Sequence, residues 1–209
     1  TLRLVAEHGL DGFTLRAAAK LAGVSDGAPY HHFTDREALL AAVAEESFGL
    51  LSDEMTSAAD DYAGSGREKA QAMGVAYVLF AAKYPSRFRI MFGSLSRGRT
   101  KHPDLFEASE RVHRLVRQAL ARALSDEPKR TPSKKAVVRA WALLHGLSAL
   151  AVDGYLGADG KRAPKLERLA WEAIQSLDRP ERREPESIPR SGARSRTSRA
   201  PLSARRNAS

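Results

Sequence analysis

The sequence predicts an all-α fold: a three-helix N-terminal module containing a helix-turn-helix, joined to a C-terminal helical bundle, with about nine helices in all. Three observations lead there. Apolar residues recur at intervals of three and four as far as residue 177, and no stretch shows the alternation of a half-buried strand. Ser, Thr and Asp stand where helices would start, and Gly and Pro where they would stop. Three short helical segments crowd into the first thirty-odd residues, and longer ones follow.

The chain opens at Thr1 with Leu2, Val5 and Ala6 already on one helical face, so the first helix is expected to have lost its start. Gly9 and Gly12 close it. Thr14 caps a helix over residues 15–21, which Gly23 breaks. Ser25 or Asp26 starts a short helix reaching about Phe33. Thr34 or Asp35 caps a long helix whose buried side holds Leu39, Leu40, Val43, Ala44, Leu50 and Leu51. A loop at residues 64–66 precedes a helix over about 67–84, with Met73, Tyr77, Phe80 and Tyr84 at helical spacing and Pro85 as its stop. Residues 88–95 read as a short apolar helix and 96–102 as a basic loop. Pro103 suits the first turn of a helix to about Leu124, and Ser133 caps another to about Gly154. The last helix ends near Leu177 and carries the stripe Leu166, Leu169, Ala170, Ala173, Ile174 and Leu177.

This gives residues 1–45 as the small module, 46–177 as the bundle and 178–209 as a tail. The tail is rich in Arg, Ser and Pro and has too little apolar surface to fold. Hydrophobic residues make up 43% of the 209 and charged residues 28%, the balance of an ordinary folded domain. No uninterrupted apolar run approaches the roughly 18 residues of a membrane span, and no basic-then-apolar leader opens the chain. A cytoplasmic protein away from the membrane is therefore expected. The absence of Cys excludes disulfides, thiolate metal sites and Cys nucleophiles. No GxSxG, P-loop, HExxH or paired-carboxylate pattern is present, and His102, His113, His145 and Asp153 form no recognisable catalytic set. Neither an enzyme nor a cofactor nor a bound metal is expected.

The net charge of +9 suggests a polyanionic partner. Its distribution is uneven. Residues 1–50 carry 4 basic and 7 acidic residues, a net −3. Residues 51–177 carry 21 and 14, a net +7, and residues 178–209 carry 9 and 4, a net +5.

The most informative segment is TLRAAAKLAGVSDGAPYHHF, residues 14–33. A capped helix, a turn of Ala22, Gly23 and Val24, and a second capped helix make a helix-turn-helix. Small Ala18 and Ala19 let the second helix approach, Gly23 permits the sharp turn, and Val24 is expected to plug the angle. The second helix then offers its N-terminal end outward, where N–H groups suit phosphate and the helix fits a major groove. Pro29 lacks an N–H, so it must lie in that helix's first turn.

Residues 4–40 resemble the DNA-binding domain of the TetR/AcrR family of bacterial one-component transcriptional regulators. The matching residues are Gly9, Phe13-Thr14-Leu15, Ala19, Ala22-Gly23-Val24-Ser25, Tyr30, His32-Phe33 and Arg36-Glu37-Ala38-Leu39-Leu40. Ala28-Pro29-Tyr30, with Trp141 and His145-Gly146, also resembles a subgroup with a Trp-His-Gly C-terminal domain, although Trp and His-Gly are separated here. The resemblance implies a homodimer, usually a repressor, that binds a palindromic operator through residues 26–32 of each subunit. A small-molecule effector in the bundle would release it.

On this resemblance Thr14 and Arg16 touch the DNA backbone, Thr14 capping as well. Ser25 caps and donates to phosphate, and Tyr30 bonds a phosphate. Arg36, where the family usually has Lys, does the same. Asp26, Gly27 and Ala28 lie at the groove-facing start, with Asp26 either a cap or an acceptor for a cytosine amine. One of His31 and His32 is expected to meet backbone or base; as a metal pair they would diverge by about 100° on a helix.

Met73, Tyr77, Phe80, Tyr84, Phe88, Met91, Phe92, Trp141 and His145 are candidates to border a ligand pocket, with ordinary core as the alternative for each. The apolar arc of residues 137–150 and the last stripe exceed what one small core can use. Val137, Leu144, Leu147, Leu166, Leu169, Ala173, Ile174 and Leu177 are therefore expected in a four-helix dimer interface. Two other readings stand beside this one: a DNA-binding dimer with a filled interior and no effector, and a helical enzyme with a vestigial helix-turn-helix.

Overall fold

The computed structural model describes residues 1–93, 101–124, 131–156 and 163–176, all within one compact unit, Thr1–Arg179. The expectations for the basic loop before Lys101, for Leu177 and for the tail fall outside the described residues. Within them there is no strand. Eight α-helices and one 3₁₀ turn are present: α1 (Leu2–His8), α2 (Leu15–Ala22), a 3₁₀ turn (Ala28–His31), α3 (Arg36–Asp60), α4 (Gly66–Lys83), α5 (Pro85–Met91), α6 (Pro103–Leu124), α7 (Lys134–Val152) and α8 (Ala163–Gln175).

Local chemistry sets most of the boundaries. The Thr14 hydroxyl accepts from the Ala17 N–H at 3.1 Å, the Asp35 carboxylate from Ala38 at 2.7 Å and the Ser133 hydroxyl from Ala136 at 3.1 Å. Gly23 closes α2 in the left-handed conformation, φ +71°, which a side chain would strain. Pro85 opens α5 and Pro103 opens α6, where no amide hydrogen is needed. Helix α4 begins with a reciprocal box: Ser65 caps Glu68, and Glu68 bonds back to Ser65 N at 2.8 Å. The Ser-x-x-Glu spacing is the sequence mark of this start, and a loop over residues 64–66 with a helix from about 67 passed over it.

The second helix of the motif is shorter than expected. Only the 3₁₀ turn forms, and the chain from Ser25 through Gly27 is turn. Pro29 supplies no N–H, and the bonds that do form are tight ones, Ala28 N to Ser25 O and Tyr30 N to Gly27 O. Val24 does not plug the angle but is 48% exposed, and Phe33 is half-buried. Ala19, the small residue behind the turn, is fully packed.

Helix α4 lies at the centre of the bundle, in contact with α3, α5, α6, α7 and α8. It has no continuous polar face, and Tyr77, Val78, Phe80 and Ala81 are wholly buried. Side chains of α7 and α8 press on α4 at Gly74: a Cβ there would sit 2.9 Å from Ile174 Cδ1 and 3.1 Å from Leu144 Cδ2. Helix α1 docks against α5, tying the N-terminal module to the bundle. Helix α7 is long and apolar enough, at mean hydropathy 1.3, to cross a membrane by length and composition. No uninterrupted apolar run marks it in the sequence, because Lys134, Lys135 and Arg139 interrupt its first turns.

Candidate functional site

The helix-turn-helix presents one solvent-facing surface. Thr14, Arg16, Ser25, Asp26, Gly27, Tyr30, His31 and His32 are all exposed there, and Ala28 is half-buried. Tyr30 is 58% exposed, so its ring and hydroxyl face outward. The alternatives left open for Asp26 narrow. It caps nothing: Gly27 is the residue before the 3₁₀ turn, and no side chain caps it. Instead the Asp26 carboxylate accepts from Arg16 Nε at 2.7 Å, joining the two helical arms of the motif across exposed surface. Such an exposed pair orients the guanidinium and adds little stability.

Arg36 departs from the expected phosphate contact. Its Nε donates to the Phe13 carbonyl at 2.8 Å, its Nη2 to the Leu10 carbonyl, and its guanidinium lies over the Phe13 ring. It is a structural bolt between α3 and the α1–α2 corner. One residue on, Glu37 is gripped by Lys101 and by His102 Nε2 at 3.3 Å, from the start of α6. The Lys101 ammonium, followed by the His102 ring, holds the Glu37 carboxyl below the usual range. The DNA-facing module and the bundle thus meet at adjacent residues of α3.

The nine residues expected around a pocket separate into groups. Tyr77, Phe88, Phe92, Trp141 and His145 do come together as an aromatic cluster, with Tyr77 edge-on to Phe88 and Trp141. Burial pushes the Tyr77 hydroxyl far above its ordinary range, keeping it neutral, and it lies 3.4 Å from His145 Nδ1. Burial likewise lowers the His145 pKa, favouring the uncharged ring. Phe80 pairs with Tyr84, and Met91 is fully buried. These residues serve as core and do not line the bundle's cavity, which corrects their assignment to a pocket wall. Of the nine, Met73 alone borders that cavity, a space of about 60 Å³ between α3, α4, α6, α7 and α8. Its apolar lining includes Met55, Gly74, Val116, Ala140, Leu144 and Ile174, and its polar groups are Arg67 and Gln71. The cavity was not legible in the sequence because most of its wall is small aliphatic side chains; the one signal was a polar Gln71 just before the apolar run of α4.

The expected interface residues also divide. Leu144, Leu166 and Ile174 are spent inside their own subunit, buried in the core cluster, which corrects their assignment to a dimer face. Leu144 and Ile174 fill the space that Gly74 leaves on α4. Val137, Leu147 and Ala173 are half-buried, and Leu169 is exposed. Val138, which is 65% exposed, and Leu150, also exposed, belong to the apolar arc of residues 137–150 read from the sequence, whereas exposed Tyr155 lies beyond it.

Two family models match the chain. "Bacterial regulatory proteins, tetR family" covers residues 1–43, and "Tetracyclin repressor-like, C-terminal domain" covers residues 70–188. The chain belongs to the TetR family of transcriptional regulators. Among curated relatives it is 41% identical over 51 residues to the HTH-type transcriptional repressor AcnR of Corynebacterium diphtheriae, covering 24% of this chain and 27% of the relative. It is 30% identical over 103 residues to the HTH-type transcriptional regulator Rv1816 of Mycobacterium tuberculosis, covering 49% of this chain and 44% of the relative. The matched region spans less than half the length of these relatives. Among solved structures, a protein of unknown function from a Rhodococcus species is 26% identical with a TM-score of 0.66, over 84% of this chain and 88% of that one. The TetR family transcriptional regulator PfmR of Thermus thermophilus is 20% identical with a TM-score of 0.66, over 87% and 96%, a likeness of fold. An enzymatic role is not supported: the family and the fold are those of regulators.

Proposed function

We propose that this chain is a cytoplasmic repressor that binds a palindromic operator as a homodimer and leaves it when a small molecule occupies the bundle. The observation that carries the reading is the exposure of the helix-turn-helix, where Thr14, Arg16, Ser25, Tyr30, His31 and His32 offer hydroxyl, guanidinium and imidazole groups to solvent. Thr14, Arg16, Ser25 and Tyr30 hold phosphates, and Asp26, Gly27, Ala28 and one of the two histidines approach base edges. Arg36 supports this surface from behind rather than touching DNA.

The dimer reading rests on the outer face of α7 and α8. Val138, Ala142, Gly146 and Ala149 follow one another along α7 at helical spacing, and Leu169 and Ala173 lie four apart on α8, which packs against α7. Small side chains let two such helices approach closely. A two-fold pair would set the two reading turns about 34–36 Å apart, one helical turn of DNA. The cavity favours an effector over the alternative of a filled dimer with none.

A gel shift on the chain's own upstream DNA tests the reading. Specific retardation over random duplex is expected, and Tyr30→Phe should weaken it several-fold while the protein remains dimeric and folded. Equal binding to random DNA would overturn it.

A further inference from the structure

We propose that the cavity between α3, α4, α6, α7 and α8 takes a short aliphatic carboxylate, its chain inside and its head at Gln71 and Arg67. The inference rests on the reading that the bundle binds an effector, and it names that effector's class. Three features of the cavity select it.

The first is size. A cavity of about 150 Å³ takes one benzene, so about 60 Å³ takes roughly two or three non-hydrogen atoms. Flat polycyclic compounds do not fit; a single chain does. The second is the wall. Met55, Met73, Val116, Leu144 and Ile174 offer no hydrogen bond to the enclosed part of a ligand, which must then be hydrocarbon. Gly74 lies in that wall, and the space its missing Cβ leaves is shared with Ile174 and Leu144.

The third is where polarity enters. Among the described residues of the lining, the polar side chains are Arg67 and Gln71, four residues apart on α4 and so on the same helical face. Gln71 is 7% exposed while Arg67 is exposed, so the pair runs from the interior to solvent. A guanidinium has five N–H donors in a planar fork and an amide adds two, enough to receive a carboxylate alongside the contacts these side chains already make. An amine, itself a donor, would find only donors in the guanidinium fork. An alcohol would leave most of those donors unused.

The test is calorimetric titration of the full-length, DNA-free protein with straight-chain carboxylates from acetate to decanoate, and with alcohols and amines of matching length. Affinity should rise about fourfold per added methylene up to about three or four carbons and then level or fall. The alcohol should bind at least tenfold more weakly, and the amine not at all. Leu144→Ala enlarges the wall and should move the optimum to longer chains by two or more carbons. Arg67→Met sits on exposed surface, keeps the fold, and should erase the preference for carboxylate over alcohol. Binding without dependence on chain length, an unmoved optimum in Leu144→Ala, or equal binding of acid and alcohol by the unaltered protein would each overturn the proposal. Because titration needs no DNA, the two readings fail separately. A protein that shifts its operator but binds no carboxylate loses only the ligand class, and one that binds butanoate without releasing its operator loses only the effector role.

Discussion

Arg36 shows how far a residue's type can be from its task. From the sequence it is a cation at the edge of a DNA-reading motif; in the fold its charge is turned inward onto the carbonyls of Leu10 and Phe13. Neither carbonyl could be identified beforehand, because both lie more than twenty residues away along the chain. Arg36→Met should cost about 2 kcal/mol, the usual worth of a charged hydrogen bond lost to a buried acceptor, seen as a lower melting temperature without DNA. Arg36→Lys should recover only part, since an ammonium cannot fork to two carbonyls. An unchanged melt in Arg36→Met would return the residue to the phosphate role. His145 provides a second expectation. Its folded pKa lies below the unfolded value of about 6.5, so the unfolded chain takes the proton first. Stability is full above that value and falls as pH drops from it toward the folded value. His145→Gln should flatten that part of the curve of melting temperature against pH.

Elements whose ends carry their own chemistry were legible. Thr14, Asp35, Ser133, Pro103 and Gly23 act within four residues of themselves, and each lies where its spacing placed it. The 3₁₀ turn was less so, because its length depends on how Ser25, Gly27 and Pro29 share a handful of backbone bonds. Gly23→Ala puts a Cβ on a backbone at φ +71°, at a cost of about 1–2 kcal/mol, and should lower operator affinity more than it lowers helicity. Circular dichroism and a gel shift on the same preparation separate the two. Apolar stripes were the hardest to assign. A stripe says that a face is covered but not by what, so Leu144 and Ile174 read as a partner's contacts although α4 of their own subunit covers them.

At the scale of the molecule, what the bundle leaves uncovered is as informative as what it buries. Val138→Asp with Leu169→Lys places charge on two exposed positions, so the subunit should fold with its helicity intact. The dimer dissociation constant should rise well over tenfold by sedimentation, tenfold being about 1.4 kcal/mol. An unaltered dimer would put the interface elsewhere. One more consequence belongs to α3, the 25-residue helix that runs through both halves of the molecule and is about 37 Å long. Arg87 holds it near its middle, at Glu46 (2.9 Å) and Ser47 (3.0 Å). Met55, in the cavity wall, is eight residues beyond that hold, and Arg36 is eleven residues before it. A stiff rod gripped there is a see-saw with arms of about 12 and 16 Å. Were it to pivot at that grip, a displacement of about 1 Å on the Met55 arm would become about 1.4 Å, in the opposite direction, at the end that carries Arg36 and Glu37.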